Sequence, residues 1–221
     1  MGDVVYGIDE SGSLNHNRFF VLVCAFSAKQ TMGHKDRMEK HRGKIDLESM
    51  PHYRFLVIED DVAAFAEQMM NDRELLLGKN GTGSADHDLR YFSSAYLLHH
   101  SGFSDASTAH IDDFVNNGSV GREIGFYLDV IKDNEVPRCH IVCEPKADVT
   151  RPIVNAADAL ANHIFRQMTK RKTPYELDPG IQQNYVDIRR NGFYELYRRC
   201  NAAKIRRLLP RSENPEFMPY K

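Results

Sequence analysis

The sequence predicts an α/β fold with a mixed sheet, in which three antiparallel strands are followed by alternating helices and strands. Three short runs of β-branched and aromatic residues stand in the N-terminal quarter of the 221-residue chain. After them, stretches with apolar residues at helical spacing alternate with further strand-like runs, an order typical of a mixed sheet flanked by helices. No internal repeat or second core is visible, so we expect residues 1–221 to form a single domain.

The opening strands are predicted from hydrophobic runs and from the segments that join them. Residues 1–8 indicate a buried strand, residues 19–26 a second one and residues 53–58 a third. The polar stretch 14–18 has the composition of a hairpin connection, so the first two strands should be antiparallel. The charged, weakly periodic segment 29–50 is expected to contain a helix. Together these elements predict an antiparallel three-stranded set.

The later elements alternate between helix and strand. Apolar spacing predicts helices over residues 62–77, 88–99, 121–133, 152–168 and 191–209. Strand-like runs cover residues 108–111 and 138–144. The glycine-rich segment 78–86 lacks the Lys-Ser/Thr that follows a phosphate-binding loop, which favours a plain linker. The tail 210–221 is expected to be irregular. These strands would extend the opening set into a mixed sheet.

Composition narrows the functional classes. No stretch approaches the length of a membrane span, no signal leader is visible, and the four cysteines do not form a disulfide framework. We therefore expect a cytoplasmic protein without a membrane partner. Residues 166–211 contain twelve Lys and Arg against four Asp and Glu. This basic, helical C-terminal part, from about residue 169, is compatible with nucleic-acid binding and equally with solvated helix faces.

Acidic residues follow the predicted strands at equivalent places. Two adjacent carboxylates end the first strand and precede a Ser-Gly-Ser turn, and others follow the two later strands. In chain order they are Asp9, Glu10, Asp112, Asp113, Glu144 and Asp148. If these strands are neighbours, the acids converge, and their mutual repulsion calls for cations. A pair of Mg²⁺ ions that activate water at a phosphodiester would fit this site, whereas the alternative for the first pair is a solvated strand end.

Three segments resemble ribonuclease HII. The run Gly7-Ile-Asp-Glu-Ser-Gly12 resembles the opening strand of that family, and His110-Ile-Asp-Asp-Phe114 resembles its second acidic strand. The Lys-Ala-Asp sequence that opens segment 146–162 resembles the element that leads into its small-residue helix. The agreement in order and spacing spans roughly residues 4–168.

That resemblance implies a ribonuclease H-like fold and a divalent-metal-dependent nuclease that cleaves the RNA strand of an RNA/DNA hybrid. It also implies which residues catalyse the reaction and bind Mg²⁺ or Mn²⁺, namely Asp9, Glu10, Asp112 and Asp148. The contacts with the nucleic-acid substrate are expected from Ser11, Gly12, Ser13 and Lys146.

A second resemblance differs in the fourth carboxylate. Ribonuclease HII has a basic residue in the turn after its Asp-Glu pair, and Ser11-Gly-Ser13 has none. The form Ile-Asp-Glu-Ser-Gly resembles instead an uncharacterised ribonuclease H-like family (DUF3800-like), whose late Ala-Asp motif is matched by Ala157-Asp158. Asp158 is therefore the substitute for Asp148. It lies on a polar stripe of its helix, so a solvated-face residue is the alternative reading.

Strand geometry sets one further condition. Successive side chains point to opposite faces of a sheet, so Asp9 and Glu10 can share a metal only if the backbone twists at Ser11-Gly12. The sequence thus predicts a metal-dependent nuclease. Two alternatives remain: a nucleic-acid-binding or interaction module on the same fold that does not cleave, and a nuclease for structured DNA.

Overall fold

The computed structural model describes eight stretches of the chain. They are residues 4–12, 20–27, 53–60, 85–104, 107–112, 119–133, 140–170 and 192–208. The predicted connection 14–18, the predicted helices 29–50 and 62–77 and the tail 210–221 lie outside the described residues, as does nearly all of the predicted loop 78–86.

The described elements alternate as the sequence predicts. The strands are β1 (Val5–Gly12), β2 (Phe20–Ser27), β3 (Arg54–Asp60), β4 (Thr108–Asp112) and β5 (His140–Glu144). The helices are α1 (Ala85–His100), α2 (Val120–Ile131), α3 (Ala147–Thr150), α4 (Pro152–Thr169) and α5 (Phe193–Leu208). Pro152 occupies the first turn of α4, where its missing N–H would have no intrahelical partner in any case.

The described strands form one mixed sheet in the order β3-β2-β1-β4-β5. The strand β2 pairs antiparallel with both β1 and β3, which confirms the predicted three-stranded set. The strand β4 pairs parallel with β1, and β5 continues the sheet in the same sense. The predicted α/β fold class is therefore confirmed, and three parallel strands end at the same edge.

Helices cover both faces of this sheet. On one face α4 packs against β1 and β2, around a core that includes Val21, Val23 and Leu160. On the other face α1 and α2 bury a second core, which includes Ile8 and Phe92. Alternate residues of β1, β2 and β3 feed the two cores, as strand geometry requires. No helix in the described part of the chain is long and apolar enough to cross a membrane.

Two predicted boundaries are wrong in a way that affects the acidic residues. The first strand does not end before Asp9, because β2 continues to pair with it as far as Gly12. The positive φ of Gly12, 96°, marks the end of β1. Asp148 does not lie in a loop, because the Lys146 carbonyl accepts hydrogen bonds from the N–H groups of Val149 and Thr150 and starts the short helix α3.

The backbones of β1 and α4 approach each other closely at Gly7. A Cβ atom built on Gly7 would lie 2.5 Å from the carbonyl carbon and oxygen of Ile153 and 2.7 Å from the nitrogen of Val154. Only glycine fits such a contact without displacing the helix backbone. This contact sets the distance between β1 and the part of α4 that carries Asp158.

Candidate functional site

Three carboxylates stand in a row across the parallel strands. The register of β4 and β5 places Asp112 beside Glu144. The register of β1 and β4 pairs Ile8 with Ile111, so Asp9 stands one step further along, beside Asp112. The row lies toward the carboxyl ends of these strands, the edge at which open α/β sheets bind their ligands.

Asp9 and Glu10 lie on opposite faces of β1. Gly7 approaches α4, and the Ser11 hydroxyl donates to Asn162 of the same helix, so the odd-numbered side chains share the α4 face. Ile8 packs in the core formed by α1, which is the face that Glu10 shares. The twist that would let the two acids share one metal is therefore absent.

Asp9 is the most strongly perturbed carboxylate of the site. It is 8% exposed, and burial together with the charges of Glu10, Asp158 and Asp112 raises its pKa to about 9. A hydrogen bond of 2.8 Å from the N–H of Glu10 to its Oδ1 acts in the opposite direction. At neutral pH the Asp9 carboxyl thus carries a proton, unless a cation compensates its charge.

Asp158 of α4 lies beside this row. Burial raises its pKa, and so do the charges of Asp148 and Asp112, in that order. Since Asp158 also raises the pKa of Asp9, it is close to all three of these aspartates. The reading of Asp158 as a plain solvated residue does not fit this burial. Asp148 is half-buried in α3 and contributes to the field at Asp158.

A chain of hydrogen bonds connects β1 with Asp158. The buried Ser11 hydroxyl donates to Oδ1 of Asn162 at 3.0 Å, and the Asn162 amide in turn donates to Oδ1 of Asp158. Asn162 lies on the same polar stripe of α4 as Asp158, and the sequence assigned it no role. Its spacing from Asp158, four residues along one helix face, was the available signal.

We expect Asn162→Ala to destabilise the protein by about 1–2 kcal/mol, because it removes both bonds and leaves the buried Ser11 hydroxyl without its acceptor. Urea denaturation of the metal-free protein measures the change. Gln167→Ala is the matched control, since that amide also bonds a side chain four residues earlier, His163, away from the acids. Equal effects of the two substitutions would show that the Ser11–Asn162–Asp158 chain adds nothing specific.

Two arginines neutralise the acids at the margins of the site. Arg90 of α1 forms an ion pair with Glu10 and donates to the Gly12 carbonyl at 3.3 Å. Arg151 binds Glu144 through two hydrogen bonds, of 2.7 and 2.5 Å, which hold the pKa of that carboxyl below its ordinary value. Neither arginine was identified from the sequence. No motif or residue spacing connects Arg90 with Glu10.

The remaining predicted residues are placed as follows. The backbone N–H of Ala147 donates to Oδ1 of Asp112 at 2.8 Å, which fixes this carboxylate against the start of α3. Lys146 is exposed at the same turn, in a left-handed conformation with φ of 60°. Ser13 and Asp113 lie outside the described residues.

Part of the positive charge of α5 is engaged in contacts with α2. Lys204 is 8% exposed and pairs with Glu123, with Asp88 3.8 Å away. Arg199 donates to the carbonyls of Val130 and Ile131, at 2.8 Å each. These side chains hold helices together. The exposed Arg166 of α4, whose charge acts on Asp158, is better placed to meet a ligand of the acidic site.

The donor set suits a hard divalent cation, because Mg²⁺ and Mn²⁺ prefer carboxylate oxygens. Within the described part of the chain, however, no three His, Cys, Asp or Glu side chains are positioned to hold an ion together. The aspartates are close enough to shift one another's pKa, and side-chain rotations would have to bring their oxygens to one point. These side chains therefore match a divalent cation in their chemistry and in their place in the fold.

Solved structures of ribonucleases resemble this chain at low sequence identity. Ribonuclease H2 from Pyrococcus horikoshii OT3 has a TM-score of 0.51 and 17% identity, over 93% of this chain and 98% of that chain. The fold is ribonuclease H-like. Ribonuclease HII from Archaeoglobus fulgidus, solved in complex with PCNA, has a TM-score of 0.50 and 18% identity, over 79% of this chain and 82% of that chain.

More distant is the Bst ribonuclease HIII solved with Mn²⁺, at a TM-score of 0.45 and 16% identity over 77% of this chain and 54% of that chain. Neither a family model nor a curated protein sequence matches the chain. The ribonuclease H-like fold thus rests on architecture, and the roles of the acids depend on the geometry of this site.

Proposed function

We propose that the protein is a divalent-metal-dependent nuclease whose substrate is the RNA strand of an RNA/DNA hybrid. The observation that carries this proposal is the cluster of Asp9, Asp112 and Asp158 at the edge where three parallel strands end. Such a cluster is costly to the fold, because each carboxylate disfavours the ionisation of its neighbours. A cost of this kind is typical of a site retained for chemistry.

In this proposal Asp9 and Asp112 hold the cation, Mg²⁺ or Mn²⁺, and Asp158 or Asp148 completes the set. When bound, the ion supplies Lewis acidity to a phosphodiester and its attacking water. Ala147 keeps Asp112 oriented through its N–H, and Asn162 does the same for Asp158.

The nucleic-acid backbone would meet the exposed side of this site. Lys146 is exposed beside Asp148, and Arg166 follows Asn162 by one turn of α4. We assign phosphate contacts to these two cations and substrate contacts to the Ser11-Gly12-Ser13 segment. The position of Asp158 also supports the second resemblance, to the family with the Ile-Asp-Glu-Ser-Gly opening, because its late Ala-Asp motif falls beside Asp9.

Hydrolysis of an end-labelled RNA/DNA hybrid in Mg²⁺ or Mn²⁺ tests the proposal. We expect cleavage by the wild-type protein and a loss of at least about 100-fold in Asp9→Asn, since the amide cannot replace an anionic ligand. Asp129→Asn is the matched control, because Asp129 is exposed on α2. If Asp9→Asn cleaves the hybrid at the wild-type rate, this site is not the catalytic one.

The same assay separates the alternatives. A protein that binds the hybrid in a salt-dependent manner without cleaving it under either ion would be a binding module. Cleavage of branched DNA in preference to the hybrid would indicate a nuclease for structured DNA.

A further inference from the structure

The negative charge of Glu10 is compensated by a basic side chain of the protein. Its carboxylate forms an ion pair with Arg90, and both side chains are largely buried, with exposures of 13% and 12%. Arg90 also donates to the carbonyl of Gly12, at 3.3 Å, so it is attached to β1 at two points. A guanidinium held by two acceptors in a buried position keeps its charge and does not readily leave.

Glu144, at the far end of the acidic row, is neutralised in the same way. Arg151 approaches it with two parallel N–H groups, from Nε to Oε2 and from Nη2 to Oε1. This bidentate arrangement satisfies both carboxylate oxygens in the plane of the guanidinium. The two glutamates of the region are thus each matched by an arginine.

The aspartates that lie between these two glutamates differ from them in this respect. Among the residues that the structure describes, Asp9, Asp112 and Asp158 make no ion pair with a basic side chain. Arg166 lowers the pKa of Asp158 through its field, but it is exposed and does not pair with this acid. The uncompensated negative charge is confined to the α4 face of the sheet.

We propose that Arg90 takes the place of a metal ion at Glu10, so that the site binds one divalent cation, on the α4 face, once the side chains of Asp9, Asp112 and Asp158 rotate toward one point. This inference rests on the proposed function and restricts it. Glu10 is then a positioning residue, which holds Arg90 against the Gly12 turn, and is no metal ligand. Asp9 and Glu10 cannot share an ion because β1 separates their side chains.

The number of Mn²⁺ ions bound by the full chain tests this inference without any substitution. We expect isothermal titration and the loss of the free Mn²⁺ signal in electron paramagnetic resonance to give one site per chain in the wild-type protein. Two sites of comparable affinity would overturn the inference.

Two neighbouring isosteric substitutions provide the second measurement. Asp9→Asn should weaken Mn²⁺ binding by at least about tenfold, whereas Glu10→Gln should change it by less than about threefold. Because Glu10→Gln leaves Arg90 without its carboxylate, the double variant Glu10→Gln/Arg90→Met is measured beside it. A loss in both variants that equals the loss in Asp9→Asn would make Glu10 a ligand and overturn the inference.

This measurement also distinguishes the inference from the proposed function. If the wild-type protein binds no Mn²⁺, the acidic cluster is not a metal centre and both proposals fail. If it binds two ions and cleaves the hybrid, the proposed function stands and the role of Arg90 is overturned.

Discussion

Asp9→Asn should stabilise the metal-free protein at neutral pH. Asp9 is buried among other acids, and the pKa of its carboxyl is raised from 3.8 to about 9 in the folded protein. The asparagine is isosteric, can still accept the hydrogen bond from the N–H of Glu10, and carries no charge. We expect a gain in the free energy of unfolding on the order of 2–4 kcal/mol at pH 8, since one unit of pKa corresponds to about 1.4 kcal/mol.

The size of this gain depends on pH. Because the folded-state pKa of Asp9 is raised, the folded protein binds the Asp9 proton more tightly than the unfolded chain does between pH 4 and pH 9. The wild-type protein therefore loses stability as the pH rises through this range, and the variant lacks that loss. The two proteins should unfold at similar urea concentrations near pH 4 and differ progressively up to about pH 9.

Urea denaturation in EDTA across this range measures the difference, with Asp129→Asn as the control. Burial alone raises the pKa of Asp129, without neighbouring acids, so a smaller change is expected there. Addition of Mn²⁺ should narrow the difference, because the ion stabilises the wild-type protein, which binds it more tightly, by more than it stabilises the variant. A variant that is less stable than the wild type at pH 8 in EDTA would contradict the raised pKa of Asp9.

Gly7→Ala should be the most damaging single-methyl substitution in β1. The new Cβ would lie 2.5 Å from the backbone of Ile153, and a backbone cannot give way as a flexible side chain can. The variant must push α4 away from the sheet, and this also separates Asp158 from Asp9. We expect a loss of about 2–4 kcal/mol in the free energy of unfolding, together with weaker Mn²⁺ binding.

Gly125→Ala is its matched control. A Cβ on Gly125 has no atom within 4 Å, and this glycine lies inside α2, where alanine favours the helix. This substitution should stabilise the protein by about 0.5–1 kcal/mol. The contrast in sign, measured by thermal or urea denaturation, isolates the clash from the general effect of adding a methyl group. If Gly7→Ala were as stable as the wild type, the contact between β1 and α4 would be looser than described.

Most of the architecture could be predicted because it depends on local patterns. The β-branched and aromatic runs that form β1, β2 and β3 predicted the antiparallel set, and the apolar stripe of α4 predicted the helix after Pro152. The positions of the acids near the ends of successive parallel strands predicted that they would meet. These properties follow from side-chain periods of two and of about 3.6 residues, which a single sequence displays.

The partner of each acid was beyond the sequence. Glu10 pairs with Arg90, eighty residues away, and Ser11 bonds Asn162, at a separation of 151 residues. Lys204, counted from sequence as part of a possible nucleic-acid footprint, binds Glu123 inside the protein instead. Contacts of this kind depend on which helix covers which face of the sheet, and no local pattern encodes that choice.

By itself, the sequence determined that this protein has an α/β fold with acids at successive strands and a metal-type donor set, because composition and periodicity are local properties. The tertiary structure decided that Asp9 and Glu10 face different helices and that Asp158 lies close to Asp9. It also decided that Arg90 compensates Glu10. The physical reason is that the charge balance of a buried site depends on distances between segments remote in the chain, and only packing sets those distances.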